Sequence, residues 1–294
     1  MAFSVPPAPE RFYDFSSLKR TTDTLWNAFN RVRGDDPLPQ NDFLSCYSDD
    51  QMTTAIATCP NGVWNKKNDD FNENLLALFK GVVYERATFT TVAEYQWGDY
   101  GCLFQRCSCF VKSDSGEIDY PEARLMVIGK KVNGCWKLLL THLSTPMPEE
   151  DKGVKAEAGK YPYAFNTPTS PIFSEWHAFQ IPSGKKFADC LDEDFTLIGT
   201  TQSEFYLKND PTKREKLIAS FSGAESVKTE LTFKSQFVDE VAGFCFVAGT
   251  APVSMEGTDG KTYSLDGRLS SVSIRQPDGS WKVAAQAFSE ASPV

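Results

Sequence analysis

The sequence predicts an α+β protein of two tandem cone-shaped domains, each a strongly curved antiparallel sheet wrapped round helices. Three observations predict it. A repeat recurs at a spacing of about 145 residues, helices precede a meander of long strands in each half, and turn signals separate those strands at matching places.

The repeat is read from residues in one order. Leu25-Trp26-Asn27-Ala28-Phe29 recurs as Glu175-Trp176-His177-Ala178-Phe179. Phe43, Cys46 and Asp50 recur as Phe187, Cys190 and Asp194. The stretch 74–81 recurs at 216–223, and the register then runs on to Gly101 and Gly243. Near the ends, Arg124-Leu125 matches Arg268-Leu269, Asn133-Gly134-Cys135-Trp136-Lys137 matches Asp278-Gly279-Ser280-Trp281-Lys282, and Ser144 matches Ser289. The spacing changes only where loops are expected. These matches set the domains at 10–148 and 173–294, with a Pro-, Glu-, Lys- and Gly-rich linker at 149–172 whose Tyr161–Phe165 part is available to pack on a neighbouring domain.

Each element follows from local pattern. Leu18, Leu25, Trp26, Phe29 and Val32 at helical spacing after a serine predict an amphipathic helix over 17–33. A short helix is expected at 41–47 and a strand at 51–58. A further helix at 69–81 stops at Gly81, which suits a C-terminal cap. Strands follow at 84–97, 101–112, 119–131 and 134–145, divided by Gly98-Asp99, Asp114-Ser115-Gly116 and the hairpin dipeptide Asn133-Gly134. The second half repeats the order with a shorter first helix and with turns at Gly257–Gly260 and Pro277–Gly279.

Composition excludes several functions. The chain has 294 residues, a net charge of −9 and a pI near 4.9, so it lacks the basic footprint that nucleic acid or an anionic membrane requires. It has neither an apolar run of membrane-spanning length nor a secretory leader at its start, and a cytoplasmic location is expected. Its eight cysteines then read as reduced thiols in core positions, and Cys107-x-Cys109 is not a zinc spacing. With only two histidines, His142 and His177, no metal site and no cofactor is expected.

The strand entries Ser48-Asp49-Asp50 and Asp192-Glu193-Asp194, with the closing hairpins from Arg124 to Ser144 and from Arg268 to Ser289, resemble the SnoaL-like branch of the nuclear-transport-factor-2-like superfamily. The resemblance covers most of the chain. It implies a cone that encloses a small apolar ligand, and a range of activities that includes isomerases, polyketide cyclases, dehydratases, and members that only bind or assemble. It also implies that the exposed sheet face is a dimer interface, here supplied within one chain as a pseudo-dimer, with further homo-oligomers open. The general-base position of the steroid isomerases in that family matches Ala55 and Gly199, and the oxyanion-hole tyrosine matches Trp26 and Trp176, so steroid-isomerase chemistry is not expected. His142-Leu-Ser144-Thr-Pro-Met-Pro-Glu149 also resembles the ending of iota-class carbonic anhydrases, which leaves a metal-free activity of that kind as a lesser alternative.

His142 is the leading catalytic candidate. Strict alternation along the last strand sets it on one face with Trp136, Leu138, Leu140 and Ser144, where an imidazole can act as acid or base. The plain alternative is a buried neutral histidine bonded to backbone or to Ser144. Asp50 is the second catalytic candidate, either a base aimed into the cone or a cap of the turn before the strand. Trp26, Tyr95, Trp64, Ser144 and Arg124 are the candidate ligand contacts, set against core packing for Trp26 and a salt bridge for Arg124. The expected function is an isomerase, cyclase or lyase using the first domain on a carbonyl or polyketide-like metabolite. The alternative is a non-catalytic ligand-binding or assembly protein.

Overall fold

A computed structural model of the protein describes residues 13–31, 36–59, 62–68, 70–114, 116–146, 165–180, 184–201, 204–207, 210–213, 215–217, 227–229, 231–256 and 261–290. The turn expected at 257–260 and most of the linker lie outside them. The chain divides into two compact units, one formed by Met1–Ala57 and Trp64–Thr145, the other by Thr58–Val63 and Pro146–Val294.

The first unit begins with α1 (Leu18–Arg31), whose Leu18, Leu25, Trp26 and Ala28 face inward. Ser17 Oγ accepts the Arg20 amide at 3.1 Å and caps its start. Helix α2 (Pro37–Ser45) starts earlier than its sequence suggests, because a proline is tolerated in the first turn, where its missing N–H leaves no bond unmade. The expected strand at 51–58 is only β1 (Thr54–Ile56), and a second short strand, β2 (Val63–Asn65), follows it. Helix α3 (Phe71–Ala77) leads to Gly81 at φ 73. Then come β3 (Val82–Trp97), β4 (Tyr100–Ser113), β5 (Gly116–Val132) and β6 (Cys135–Ser144). Asn133 and Gly134, at φ 51 and 83, make the β5–β6 turn as the dipeptide predicts.

The second unit has α4 (Ser170–Gln180), α5 (Gly184–Cys190), β7 (Leu191–Ile198), β8 (Phe205–Tyr206), β9 (Val227–Thr229), β10 (Thr232–Asp239), β11 (Phe244–Thr250), β12 (Val253–Glu256), β13 (Thr262–Leu265), β14 (Gly267–Arg275) and β15 (Trp281–Glu290). Helix α4 begins at Ser170, within the stretch read as linker. Its preceding segment packs on this unit: the Trp281 amide donates to Phe165 O at 2.8 Å, and Lys282 lies over the Phe165 ring. Phe15 does the same in the first unit, taking the Trp136 amide at 2.8 Å under Lys137.

The two main sheets share one topology. Their orders are β2-β1-β6-β5-β4-β3 and β8-β7-β15-β14-β11-β10, with β1 parallel to β6 and β7 parallel to β15. Irregularities also recur. Leu139 is an extra residue in β6 and Ala284 in β15, while Val92 in β3 and Lys234 in β10 are extra at the other edge. Such bulges bend a sheet and raise its twist, which is how each sheet curls into a cone. The units differ in their far ends. Long unbroken strands in the first correspond to split strands in the second, where β13-β12-β9 forms a separate three-stranded sheet. Glycine permits that break: a Cβ on Gly249 would lie 2.0 Å from Thr232 O, and one on Gly267 2.2 Å from Ala251 O.

Inside the first cone, α1 and α3 pack on Leu103, Cys107, Leu125, Val127 and Leu138 of the sheet. In the second, Ile172 and Trp176 of α4 pack on Cys245, Val247, Leu269, Trp281 and Val283. A Gly249→Ala variant is expected to destabilise the second unit by about 2–3 kcal/mol, because the contact is with backbone and no rotamer relieves it. Chemical denaturation checks this, and a change within 0.5 kcal/mol, roughly the surface-substitution level, contradicts it.

Candidate functional site

The register of the closing strand decides which side chains reach each interior. In β6, Trp136 and Leu138 face the first cone. The extra residue Leu139 then shifts the alternation by one. Beyond it Thr141 pairs with Ala55 and Val127, and Leu143 with Leu125, all on the inner side. His142 pairs with Ile56 and Met126 on the opposite, outer side, where it is 1% exposed. The expectation that His142 shares a face with Trp136 and Leu138 is therefore corrected. The strand is not regular, and one bulge turns the imidazole out of the cone.

Most other candidates follow the same parity. Ser144 and Arg124 are register partners, buried on the outer face. Tyr95 also points outward, stacked on Trp97 at 5.9 Å and edge-on to Phe104. Asp50 serves its turn: Oδ1 accepts the Met52 amide at 2.8 Å, and its own amide donates to Ser48 Oγ. Of the proposed ligand contacts only Trp26 and Trp64 belong to the inner cluster, with Trp64 half-buried at its edge.

The first interior is closely occupied. Trp26 Nε1 donates to Gln105 Oε1 at 2.8 Å, and the indole stacks on Phe89 and meets Phe29 edge-on. Phe29 and Phe43 both contact Phe79, Phe43 meets Tyr47, and Tyr47 meets Phe71. The Tyr47 hydroxyl is bonded to Thr141 Oγ1 at 2.9 Å, and burial pushes its pKa up. Trp26 and Tyr47 thus each have a polar partner, and the rings interlock. Arg31 and Asp42, both buried, join α1 to α2 at 2.5 Å.

The second interior is lined differently at matched positions. Leu25 becomes Glu175, Val127 becomes Ser271, Gly129 becomes Ser273, Leu103 becomes Cys245, Tyr47 becomes Leu191 and Thr141 becomes Gln286. Leu25, Val127 and Leu103 thus give way to polar or smaller groups, while Gly129 and Thr141 give way to larger polar ones. Glu175 projects from the inward stripe of α4 that carries Ile172 and Trp176, at the spacing i, i+3, i+4, and is 3% exposed. Ser271, Gln286 and Ser273 lie on the inner face of β14 and β15, since Ser271 pairs with Val247 and Gln286, and Ser273 with Cys245.

The Glu175 carboxyl is linked to the sheet through Gln286. Gln286 makes a side-chain hydrogen bond to it, and Gln286 Oε1 in turn accepts from Ser271 Oγ at 3.5 Å. Glu175 Oε2 and Ser273 Oγ are two of six buried side-chain atoms with no hydrogen-bond partner among the described residues. Burial pushes the Glu175 pKa up to about 8, outweighing the opposing bond from Gln286. The nearby Cys190 thiol is also pushed up, first by burial and then by Glu175. A carboxyl in this setting is mostly protonated at neutral pH, and can give a hydrogen bond or exchange a proton.

Sequence reading overlooked Glu175, although a signal was present. A carboxylate replaces leucine on the apolar stripe of a helix that otherwise repeats the first. All eight cysteines are free thiols, and the expectation of core positions fails for Cys135, which is exposed beside the hairpin turn. Among the described residues no group of three or more His, Cys, Asp or Glu is placed to hold a metal ion, and no helix is long and apolar enough to cross a membrane.

No protein-family description matches this chain, and no curated protein matches it. Solved structures similar to it include proteins described as nuclear-transport-factor-2-like. A ketosteroid isomerase-like protein from Erwinia carotovora atroseptica is 14% identical over 45% of this chain and 100% of its own, with a TM-score of 0.35. A nuclear transport factor 2-like superfamily protein from Salmonella enterica is 11% identical over 45% of this chain and 89% of its own, at 0.35. A protein of this type from Shewanella oneidensis is 14% identical over 43% and 95%, at 0.31.

The Glu175 setting predicts how stability changes with pH. Its folded-state pKa is raised from about 4.5 to about 8, so folding favours the protonated acid. That contribution is full below about 4.5 and is lost as pH rises to about 8, by on the order of 4 kcal/mol at the upper end. Denaturation of wild type and Glu175→Gln between pH 4 and 9 checks it. The variant should lack this slope, and equal slopes contradict the assignment.

Proposed function

We propose that this protein binds a small, largely apolar metabolite inside its second cone, with the first cone as a packed partner. The observation that carries the reading is Glu175, a buried carboxyl with an unpartnered oxygen on an otherwise apolar helix face. Leaving such an atom unmatched costs about 1–3 kcal/mol, a cost that a bound molecule with a complementary group removes. The matched first-cone position is Leu25, so the feature is not needed to build the fold.

A second reading is proton-transfer chemistry of the isomerase, cyclase or lyase kind on a carbonyl compound. It is favoured by a carboxyl that titrates near neutrality, and it moves the acid–base role from His142 to Glu175. The carbonic anhydrase-like alternative rested on the stretch from His142 to Glu149; His142 and Ser144 face away from the cone, and it is not carried further.

Assembly is part of the proposal. Each sheet has an apolar outer face, with Phe104, Met126, Ile128 and Leu140 in the first unit and Phe244, Phe246, Ala248 and Val272 in the second. Two such faces in one chain support an intramolecular pseudo-dimer, with a cytoplasmic setting suited to eight free thiols.

Native mass spectrometry of protein purified from its own source should show a co-purifying small molecule. Ser271→Leu, which adds bulk inside the second cone, should lower its occupancy, and His142→Ala should not. Equal occupancy in wild type and Ser271→Leu contradicts the placement. Expressed as separate chains, residues 10–148 and 149–294 should co-purify; halves that neither associate nor lose stability contradict the pseudo-dimer.

A further inference from the structure

We infer that the second cone selects molecules with an uncharged oxygen head, an alcohol or a carbonyl on an apolar body, and rejects carboxylates, with Glu175 as the discriminating contact. This rests on the second cone being the ligand site.

The geometry limits what can meet Glu175. Gln286 from β15 hydrogen-bonds the carboxyl, and its own Oε1 accepts from Ser271 of β14 at 3.5 Å. From α5, Cys190 offers a thiol that burial keeps protonated. Glu175 is shifted by burial and by Gln286, with no cationic side chain among the causes. The group awaiting a partner is therefore a carboxylic acid with a hydrogen to donate, and its partner must be an acceptor.

A ligand carboxylate is an acceptor too, but it brings a full charge beside Glu175, where among the described residues no cationic side chain acts on the carboxyl and Lys282 acts on Cys190. Burying an unpaired charge there costs far more than one hydrogen bond returns. An alcohol or carbonyl oxygen accepts from Glu175 without that cost. Ser273 Oγ, unpartnered two residues along the same face as Ser271, supplies a further neutral hydroxyl to the lining. The first cone has Leu25, Val127 and Gly129 at the matched places and offers none of these groups, so selection belongs to the second cone alone.

Calorimetric titration of the full-length protein with 1-decanol and with decanoate at pH 7 tests the inference. Wild type should bind decanol at least about tenfold more tightly, in line with one buried hydrogen bond made or left unmade. Glu175→Gln keeps an N–H donor and should keep the preference, whereas Glu175→Leu should lose it through weaker decanol binding. At pH 9.5, binding of 2-decanone, whose carbonyl only accepts, should weaken in wild type, whose acid has lost its proton, and not in Glu175→Gln. A full preference in Glu175→Leu, or equal binding of both probes by wild type, overturns the inference and leaves the ligand-cone reading standing. Wild-type protein that binds neither probe overturns both.

Discussion

The register of the closing strand is the constraint on which the rest of this structure depends. Leu139 and Ala284 are extra residues at matched points of β6 and β15, and each shifts the following side chains by one face. Because a strand alternates with period two, a single inserted residue exchanges inside for outside. Thr141 and Gln286 turn in, while His142 and Ala287 turn out. In the first unit this gives Tyr47 a partner at Thr141 and removes the imidazole from the interior. In the second it sets an amide opposite Glu175.

From that one register the two cones diverge by composition rather than by fold. Trp26, Phe29, Phe43, Phe79 and Phe89 interlock in the first, where Trp26 and Tyr47 find polar partners inside the protein. The second keeps the tryptophan as Trp176 but exchanges leucine, valine and tyrosine neighbours for smaller or polar groups. A close-packed interior resists change, since added or removed methylenes each cost stability. An interior with unmatched donors and acceptors is less settled and lends itself to a guest.

Much of the fold was legible in the sequence because its signals are local. Asn133-Gly134 requires positive φ at both residues, and the hairpin stands where that dipeptide occurs. The long strands β3–β6 follow from alternation between such turns, and α1 from its apolar stripe. The start of α2 was missed because prolines read as breakers away from a first turn. The bulges were not legible: Leu138-Leu139-Leu140 and Val283-Ala284-Ala285 are uniformly apolar and contain no glycine or proline to mark an inserted residue. That silence misplaced His142 and, with it, the expected site. Glu175 was legible in principle, as the one charge on a stripe that its counterpart fills with Leu25.

The most direct test of this account is the protonation of Glu175 itself. Carbon NMR of the intact protein, with the Glu175 carboxyl assigned through Glu175→Gln, follows its titration from pH 3 to 10. A midpoint near 8 is predicted, as burial inside the second cone requires. A midpoint near the ordinary 4.5 would mean the carboxyl reaches water, and would contradict the buried acid on which the proposed site stands.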